Sequence, residues 1–181
     1  MTAAQNDPAR GRRFEDVVAA IYEPLQRYLR RRTDPATADD VLGDVLLVLW
    51  RRLDDLPAEL PLPYAYGVAR GCLANSRRSA VRQERVVHRL ALQRPDDGNR
   101  PDGVLTEALG ALPEADRELL RLWAWEQLPP REIALALGVS ANAASIRLHR
   151  AKRRLKGLLL AGKDGGATGQ NPTRREGGAA R

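Results

Sequence analysis

The stretch QLPPREIALALGVSANAASIRLHRAKRRLK, residues 127–156, decides the fold of the C-terminal half of this chain. It predicts two short helices joined by a tight turn. Pro130 suits the first position of a helix, where its missing N–H costs nothing. Gly138 permits a sharp turn, and Ser140 is a good N-cap for the helix that follows. With Val139 as an apolar plug between them, the two helices are predicted to form a helix-turn-helix.

The second helix of this pair combines an apolar stripe with a basic surface. The stripe recurs at steps of four, three and four residues: Ala144, Leu148, Ala151 and Leu155. Six basic residues and no acidic residue lie between positions 141 and 156. This pattern is typical of a helix that enters the major groove of DNA, although a surface helix with a solvated basic face shares it. We predict DNA contacts from Asn142, Ala143, Ile146, Arg147, His149, Arg150 and Arg153.

Charge alternates along the chain, whose net charge is +7. Residues 14–62 have ten acids against six bases, and residues 63–94 have seven arginines against one acid. Residues 104–138 have six acids against three bases and precede the basic helix. Two acidic-then-basic blocks predict two modules, each with a scaffold half and a half that faces a polyanion such as nucleic acid.

Several classes of protein are excluded by composition. The lone Cys72 excludes an intrachain disulfide, and one cysteine with two distant histidines argues against a zinc site. The chain has no Gly-rich phosphate loop or nucleophile motif, so we predict no catalytic residue, metal or cofactor and no enzymatic activity. No apolar run approaches the roughly 18 residues of a membrane span, and the polar N-terminus is unlike a signal peptide. We expect a cytoplasmic protein without membrane insertion.

The remaining pattern is helical throughout, so we predict an all-α fold of two small domains joined by a flexible linker. A second helix is predicted from a Thr37-to-Asp40 capping box to Leu53, and a third from Tyr64 to Arg78. The predicted divisions are a disordered N-terminus at 1–13, a first domain at 14–90, a linker at 91–103, a second domain at 104–161 and a disordered tail at 162–181.

The second helix has more apolar surface than one core requires. Leu47 and Trp50 lie opposite its core stripe, and such residues ringed by charges are typical of a protein–protein contact. The spacing equally allows the first or third helix to cover them. The candidate contact residues are Asp40, Gly43, Asp44, Leu47, Trp50 and Arg51.

The third helix places two tyrosines beside a basic track. Aromatic rings next to cations are what single-stranded nucleic acid requires, because bases stack on the rings and phosphates pair with the cations. The alternative is that the tyrosines are core residues and the arginines promote solubility. The candidates are Tyr64, Tyr66, Arg70, Asn75, Arg77 and Arg78, with Arg82, Arg85 and Arg89 continuing the track.

Three motifs, taken in order, resemble bacterial sigma factors of the sigma-70 family, in the extracytoplasmic-function group that has only regions 2 and 4. They are ADDVLGDVLLVLWRRL (38–53), YAYGVARGCLANSRR (64–78) and the segment from LGALPEADRELL to RLHRAKRRL (109–155). The resemblance spans about residues 14–160. It implies that residues 14–90 are region 2 and residues 104–161 are region 4.

The resemblance also implies partners for the three candidate surfaces. The helix at 38–53 would dock on the clamp helices of the largest polymerase subunit. Residues 54–78 would recognise the −10 element and hold a flipped base, and the Pro-rich loop at 54–63 is a candidate base pocket. Region 4 would bind the −35 element and touch the polymerase flap. An anti-sigma factor is a further expected partner.

Some positions differ from the family pattern. Gly43-Asp44 stands where Gln-Glu is frequent, and Tyr64 replaces a usual tryptophan. These differences leave the promoter sequence open. The alternative function is a stand-alone helix-turn-helix regulator of duplex operators, but the N-terminal half lacks the βαβ alternation of a receiver or ligand-sensing domain.

Overall fold

The computed structural model describes residues 7–87 and 103–165, with side chains placed through residues 82 and 162. Within these ranges the fold is entirely helical and contains no strand, as predicted. The α-helices are α1 (Pro8–Arg30), α2 (Pro35–Arg51), α3 (Pro61–Val87), α4 (Gly103–Gly110), α5 (Glu114–Ala124), α6 (Pro130–Leu137) and α7 (Ala141–Gly165), and a 3₁₀ turn covers Leu53–Asp55.

The first helix begins earlier than predicted. Pro8 occupies its first turn, and the carboxylate of Asp7 accepts a hydrogen bond from the backbone N–H of Ala9 at 2.9 Å. Residues 8–13, which we expected to be disordered, are therefore helical. Residues 1–6 lie outside the described part of the chain.

Long-range contacts explain why this first turn is ordered. Arg10 donates to the backbone carbonyl of Trp50 at 2.9 Å, and Arg13 donates to that of Leu53 at 3.0 Å. Both arginines also pair with Asp54. Because these partners lie about forty residues further along the chain, a local pattern cannot reveal them.

The second and third helices have different starting points from those predicted. Asp34, rather than Thr37, caps α2, since its carboxylate accepts a hydrogen bond from the backbone N–H of Thr37 at 3.0 Å. The third helix starts three residues before Tyr64 and continues to Val87, nine residues beyond the predicted end. Its first turn contains Pro61 and the buried Pro63, which is compatible with helix because the first N–H groups of a helix have no partner inside it.

The helix-turn-helix is confirmed in its local details. Pro130 begins α6, and Gly138 adopts a φ of 66°, the left-handed conformation that favours glycine. The Ser140 hydroxyl accepts a hydrogen bond from the backbone N–H of Ala143 at 3.1 Å and so caps α7. Val139 packs against the core between the two helices.

The predicted ends of the second half also shift. Gly103, predicted as the last linker residue, is the first residue of α4. The rest of the predicted linker, residues 91–102, lies outside the described residues. The helix α7 reaches Gly165, so residues 162–165 are helical rather than tail. Residues 166–181 lie outside the described part of the chain.

The two halves of the molecule share one continuous apolar core. Ile21 and Leu25 of the first half and Leu119 and Ile133 of the second belong to the same buried cluster. The helices α3 and α6 approach so closely that a Cβ atom on Gly67 would lie 3.0 Å from the carbonyl oxygen of Ala136. The two predicted modules are therefore packed directly against each other.

Candidate nucleic-acid interface

The predicted DNA-contacting residues of α7 lie on one accessible surface. Ala144, Leu148 and Ala151 are buried in the core, as the stripe predicts. Opposite them, the side chain of Ile146 is 44% exposed. Ala143 is half-buried, and the other predicted residues are exposed: Asn142, Arg147, His149, Arg150 and Arg153.

Two basic residues of α7 have partners within the second half of the molecule. The ammonium group of Lys152 lies 3.4 Å from the ring centroid of Trp123, a cation–π contact within the same half. Arg154 forms an ion pair with Asp116. The sequence pattern did not distinguish Lys152 and Arg154 from the basic residues predicted to contact DNA.

The candidate contact residues of α2 are exposed, except for Trp50. The Leu47 side chain is 54% exposed, and Asp40, Gly43, Asp44 and Arg51 are exposed beside it. Trp50 is half-buried instead. Its ring meets that of Phe14 edge-on at 5.1 Å between centroids, and the guanidinium of Arg10 lies 5.2 Å from its centroid. The covering of Trp50 by α1 was one of the two interpretations left open by the sequence.

The two tyrosines of α3 do not form an exposed stacking platform. Tyr66 is only 2% exposed, and its ring centroid lies 4.7 Å from that of Tyr28. Burial raises the pKa of the Tyr66 hydroxyl well above its usual value. Tyr66 is thus a core residue, which corrects its assignment to DNA, because its side of α3 faces α1. Tyr64 is half-buried against the same core.

The polar residues of α3 are split between two sides of the helix. Asn75 and Arg78 are exposed to solvent and form a hydrogen bond with each other. Arg70 is exposed as well, and it donates to the carbonyl oxygen of Leu137 at 3.4 Å. The side chain of Arg82 lies on the solvent side, while those of Arg85 and Arg89 are outside the described residues.

Arg77 also faces the second half of the molecule. It donates to the carboxylate of Glu114 at 3.4 Å and to the carbonyl oxygen of Arg32 at 3.2 Å. Arg70 and Arg77 are seven residues apart, so two turns of helix place them on the same side of α3. That side is in contact with the second half.

A buried ionic cluster, missed by the sequence analysis, joins the two halves. The Arg32 side chain is 3% exposed and donates to Glu118 and to Glu126, both at 3.2 Å. The hydroxyl of Tyr28 donates to Glu118 at 2.9 Å. Burial alone would lower the pKa of Arg32, but the negative charges of Glu118 and Glu126 raise it. We call Arg32, Glu118, Glu126 and the Tyr28 hydroxyl the Arg32 clasp.

The turn after α5 holds one side of the Arg32 clasp. Arg31 pairs with Glu126 at 3.3 Å and lies over the ring of Trp125. Gln127 adopts a φ of 56°, a conformation that residues other than glycine seldom adopt. The contacts of this turn with the rest of the protein, rather than the preference of Gln127 itself, therefore fix its conformation. By itself, the run Arg30-Arg31-Arg32 indicates only a favourable positive charge at the C-terminal end of α1. The carboxylate partners of Arg31 and Arg32 are about ninety positions away, so no local signal indicates them.

An open cavity of about 440 Å³ lies between the start of α1 and the loop before α3. Its apolar wall includes Leu56 and Pro57, and its charged rim includes Arg12, Arg13 and Asp16. The Pro-rich loop that was predicted to form a base pocket therefore lines this cavity together with the start of α1. No cluster of metal ligands occurs among the described residues. None of the described helices has the length and hydropathy of a membrane span.

Comparison with known proteins identifies the family. The family model for sigma-70 region 4 matches residues 102–155, which include the helix-turn-helix. An RNA polymerase sigma-E factor of Streptomyces avermitilis is 31% identical over 151 residues, which cover 79% of this chain and 83% of the relative. The chain belongs to the RNA polymerase sigma factors. It falls in the extracytoplasmic-function group of the sigma-70 family, as the sequence motifs predicted.

Further relatives of this sigma factor extend the likeness over both halves. The RNA polymerase sigma factor SigZ of Bacillus subtilis is 26% identical over 155 residues, or 81% of this chain and 86% of the relative. The sigma factor RpoE of Bartonella quintana, solved in complex with the anti-sigma factor NepR, shares the fold. It has a TM-score of 0.59 and 18% identity, covering 81% of this chain and 96% of that one.

Proposed function

We propose that this sigma factor is a transcription initiation factor that binds core RNA polymerase and directs it to promoters. It recognises −35 and −10 elements and assists melting, while the polymerase supplies all of the nucleotidyl chemistry. Its place of action is the cytoplasm, with the polymerase. The observation that supports this most strongly is the accessible basic face of α7, since it lies within the match to sigma-70 region 4.

The division of labour follows the two halves of the fold. The first half, from Pro8 through α3, acts as region 2, and α4 to α7 act as region 4. In region 4, the residues from Asn142 to Arg153 enter the −35 major groove, and the half also touches the polymerase flap. Ile146 is exposed among them and suits contact with a thymine methyl group.

The exposed side of α2 is the proposed contact with the polymerase clamp helices. Leu47 is its apolar centre, and Asp40, Gly43, Asp44 and Arg51 form its polar rim. Trp50 is half-buried beside this face and packs against Phe14, which fixes the position of α2 relative to α1. An anti-sigma factor that covers the same face would keep the protein from the polymerase.

The −10 element is proposed to bind along α3 and the neighbouring cavity. Asn75 and Arg78 face solvent, and the cavity has an apolar wall for an unstacked base. Arg12 and Arg13 at its rim suit the phosphates on either side. Capturing a flipped base in this way offsets the few kcal/mol that unstacking costs. Tyr64 remains the aromatic candidate beside this path.

The decisive experiment is co-elution of the full chain with core RNA polymerase, followed by initiation from a selected promoter. Leu47→Ser should weaken polymerase binding at least several-fold without changing thermal stability, because the side chain is mostly exposed. Val81→Ser is the matched control, since Val81 is similarly exposed, at 51%, but belongs to α3 rather than α2. It should bind the polymerase as the wild type does.

Two outcomes would contradict this proposal. A chain that binds duplex DNA specifically but never associates with core polymerase would instead be a stand-alone helix-turn-helix regulator. Equal polymerase binding by Leu47→Ser and Val81→Ser would remove the α2 face from the interface.

A further inference from the structure

Two arginines of α1 bind the end of α2 and the turn that follows it. The guanidinium of Arg10 donates to the backbone carbonyl of Trp50 at 2.9 Å and also pairs with Asp54. Arg13 donates to the carbonyl of Leu53 at 3.0 Å and lies 3.6 Å from the same carboxylate. Trp50 is in the last turn of α2, where backbone acceptors lack partners within the helix. The first turns of α1 are therefore bonded to the segment that leads into the loop before α3.

The elements joined by these bonds form the two walls of the cavity described above. The α1 wall includes Ala9 and Arg12, and the loop wall includes Leu56 and Pro57. Leu56 comes directly after the turn at Leu53–Asp55, so the position of that turn relative to α1 sets the separation of the walls. The cavity volume of about 440 Å³ falls in the range of small-ligand sites, roughly 300–1,000 Å³.

Arg10 differs from Arg13 in its relation to this cavity. Arg13 lines the cavity as well as bonding the two elements. Arg10 is not among the lining residues, because its side chain lies over the ring of Trp50, 5.2 Å from the ring centroid. Any effect of Arg10 on a molecule in the cavity must therefore act through the positions of the walls.

We propose that Arg10 is a positioning residue for base capture, because it fixes the separation of the cavity walls before DNA binds. This inference rests on the proposed function, which places an unstacked base of the −10 element in this cavity. A cavity that already has the correct width binds more tightly than one that must be ordered on binding, because ordering costs conformational entropy. Arg10 supplies that order without touching the base.

The geometry of Arg10 matters more here than its charge. Asp54 is 71% exposed, so an ion pair with it contributes little by itself. The planar guanidinium, however, bonds a carbonyl and a carboxylate at the same time in one fixed arrangement, which the ammonium of a lysine does not reproduce. The Nε of Arg10 is also buried without a hydrogen-bond partner among the described residues. Such a group costs stability, so stability alone does not explain this placement.

The separation of the walls is measured in the free chain with spin labels at Glu15 and Glu59, in a Cys72→Ser background. Both labelled positions are exposed, and each is next to a residue that lines the cavity. Wild type should give one narrow distance distribution, and Arg10→Ala should give a broader one. Arg27→Ala is the matched control, since Arg27 is an exposed arginine of the same helix in an ion pair of its own, and it should match the wild type. Equal distributions in wild type and Arg10→Ala would overturn the proposal.

Base capture is measured with the holoenzyme on fork-junction promoter fragments in which each nucleotide of the unpaired −10 strand is made abasic in turn. The position at which loss of the base weakens wild-type binding most is the captured base. Wild type should bind the intact fragment about tenfold more tightly than that abasic fragment. Arg10→Ala should lose most of this preference, whereas Arg27→Ala should keep it. A purely structural role for Arg10 would weaken binding to both fragments equally and leave the preference unchanged.

The lysine variant keeps the test decisive if the alanine variant does not fold. Arg10→Lys retains the charge and one of the two bonds, so it should show the same changes at a smaller size. Thermal unfolding identifies a temperature at which every compared variant is folded. A folded Arg10 variant with both the wild-type distance distribution and the wild-type base preference would overturn the proposal. Equal losses of preference in the Arg10 and Arg27 variants would do so as well.

Failure of this inference is distinguishable from failure of the proposed function. A wild-type holoenzyme that prefers the intact base, with the same preference in Arg10→Ala, contradicts only the positioning role. A wild-type holoenzyme with no preference for a base at any −10 position contradicts the base capture of the proposed function and removes the basis of this inference.

Discussion

The helices α3 and α7 are both basic, but the fold treats them differently. The arginines Arg147, Arg150 and Arg153 of α7 face solvent. On α3, Arg70 and Arg77 are bonded to the second half of the molecule. A basic pattern in sequence therefore indicates that a helix needs negative partners, but not whether those partners are phosphates or the chain's own carboxylates.

The largest expected effect tests how much the Arg32 clasp contributes to the stability of the fold. Arg32→Ala removes the buried cation between Glu118 and Glu126 and leaves only the partly exposed Arg31 beside Glu126. Breaking a buried pair in this way costs roughly 3–5 kcal/mol. Urea unfolding should show that loss in the free energy of unfolding. Arg30→Ala, two residues away and half-exposed beside Asp39, should cost about 0–1 kcal/mol. Similar losses in both variants would show that the clasp has no special role.

A smaller effect tests the open surface of α7. Arg150→Ala should weaken binding to promoter DNA and, if this arginine contacts a phosphate, reduce the slope of log affinity against log salt by about one unit. Lys152→Ala should leave the slope unchanged, because its ammonium lies over Trp123, and should instead cost about 0.5–1 kcal/mol of stability. Salt titrations of the holoenzyme measure both slopes. An unchanged affinity for Arg150→Ala at every salt concentration would remove this residue from the interface.

The smallest expected effect concerns the local N-cap of α2 by Asp34. Its size can be compared with the effects of the long-range contacts. The hydrogen bond from the Thr37 backbone holds the pKa of Asp34 below its usual value. A lowered pKa in the folded state adds stability above about pH 4, and that stability is lost as the pH falls through the folded pKa. The gap in Tm between wild type and Asp34→Asn should therefore shrink from pH 6 to pH 3. A constant gap would show that the ionised carboxylate adds nothing to the cap.

Local chemistry made much of the second half predictable. Pro130, Gly138 and Ser140 act within a few residues of themselves, and the α7 stripe follows directly from helical periodicity. The face opposite that stripe was therefore identified from spacing alone. For Leu47 of α2 the spacing left exposure and coverage by another helix equally open, and the structure shows the residue exposed.

The first half was less predictable because its contacts are distant in sequence. Tyr66 looked available to nucleic acid, yet its ring packs on Tyr28 in the core. Trp50 shared a spacing with Leu47, but Phe14 covers it from α1. Periodicity shows which residues share a side of a helix, and it contains no information about which other helix lies against that side.

The sequence by itself determined the helices, the helix-turn-helix, the basic face of α7 and membership of the sigma factors. These features depend on residues within one or two helical turns, or on motifs that are contiguous in the chain. Only the tertiary structure decided that Arg32 would be buried between Glu118 and Glu126, and that one side of α3 would be covered. Such pairings join residues that are about ninety positions apart, and their energy depends on burial that the folded core alone creates.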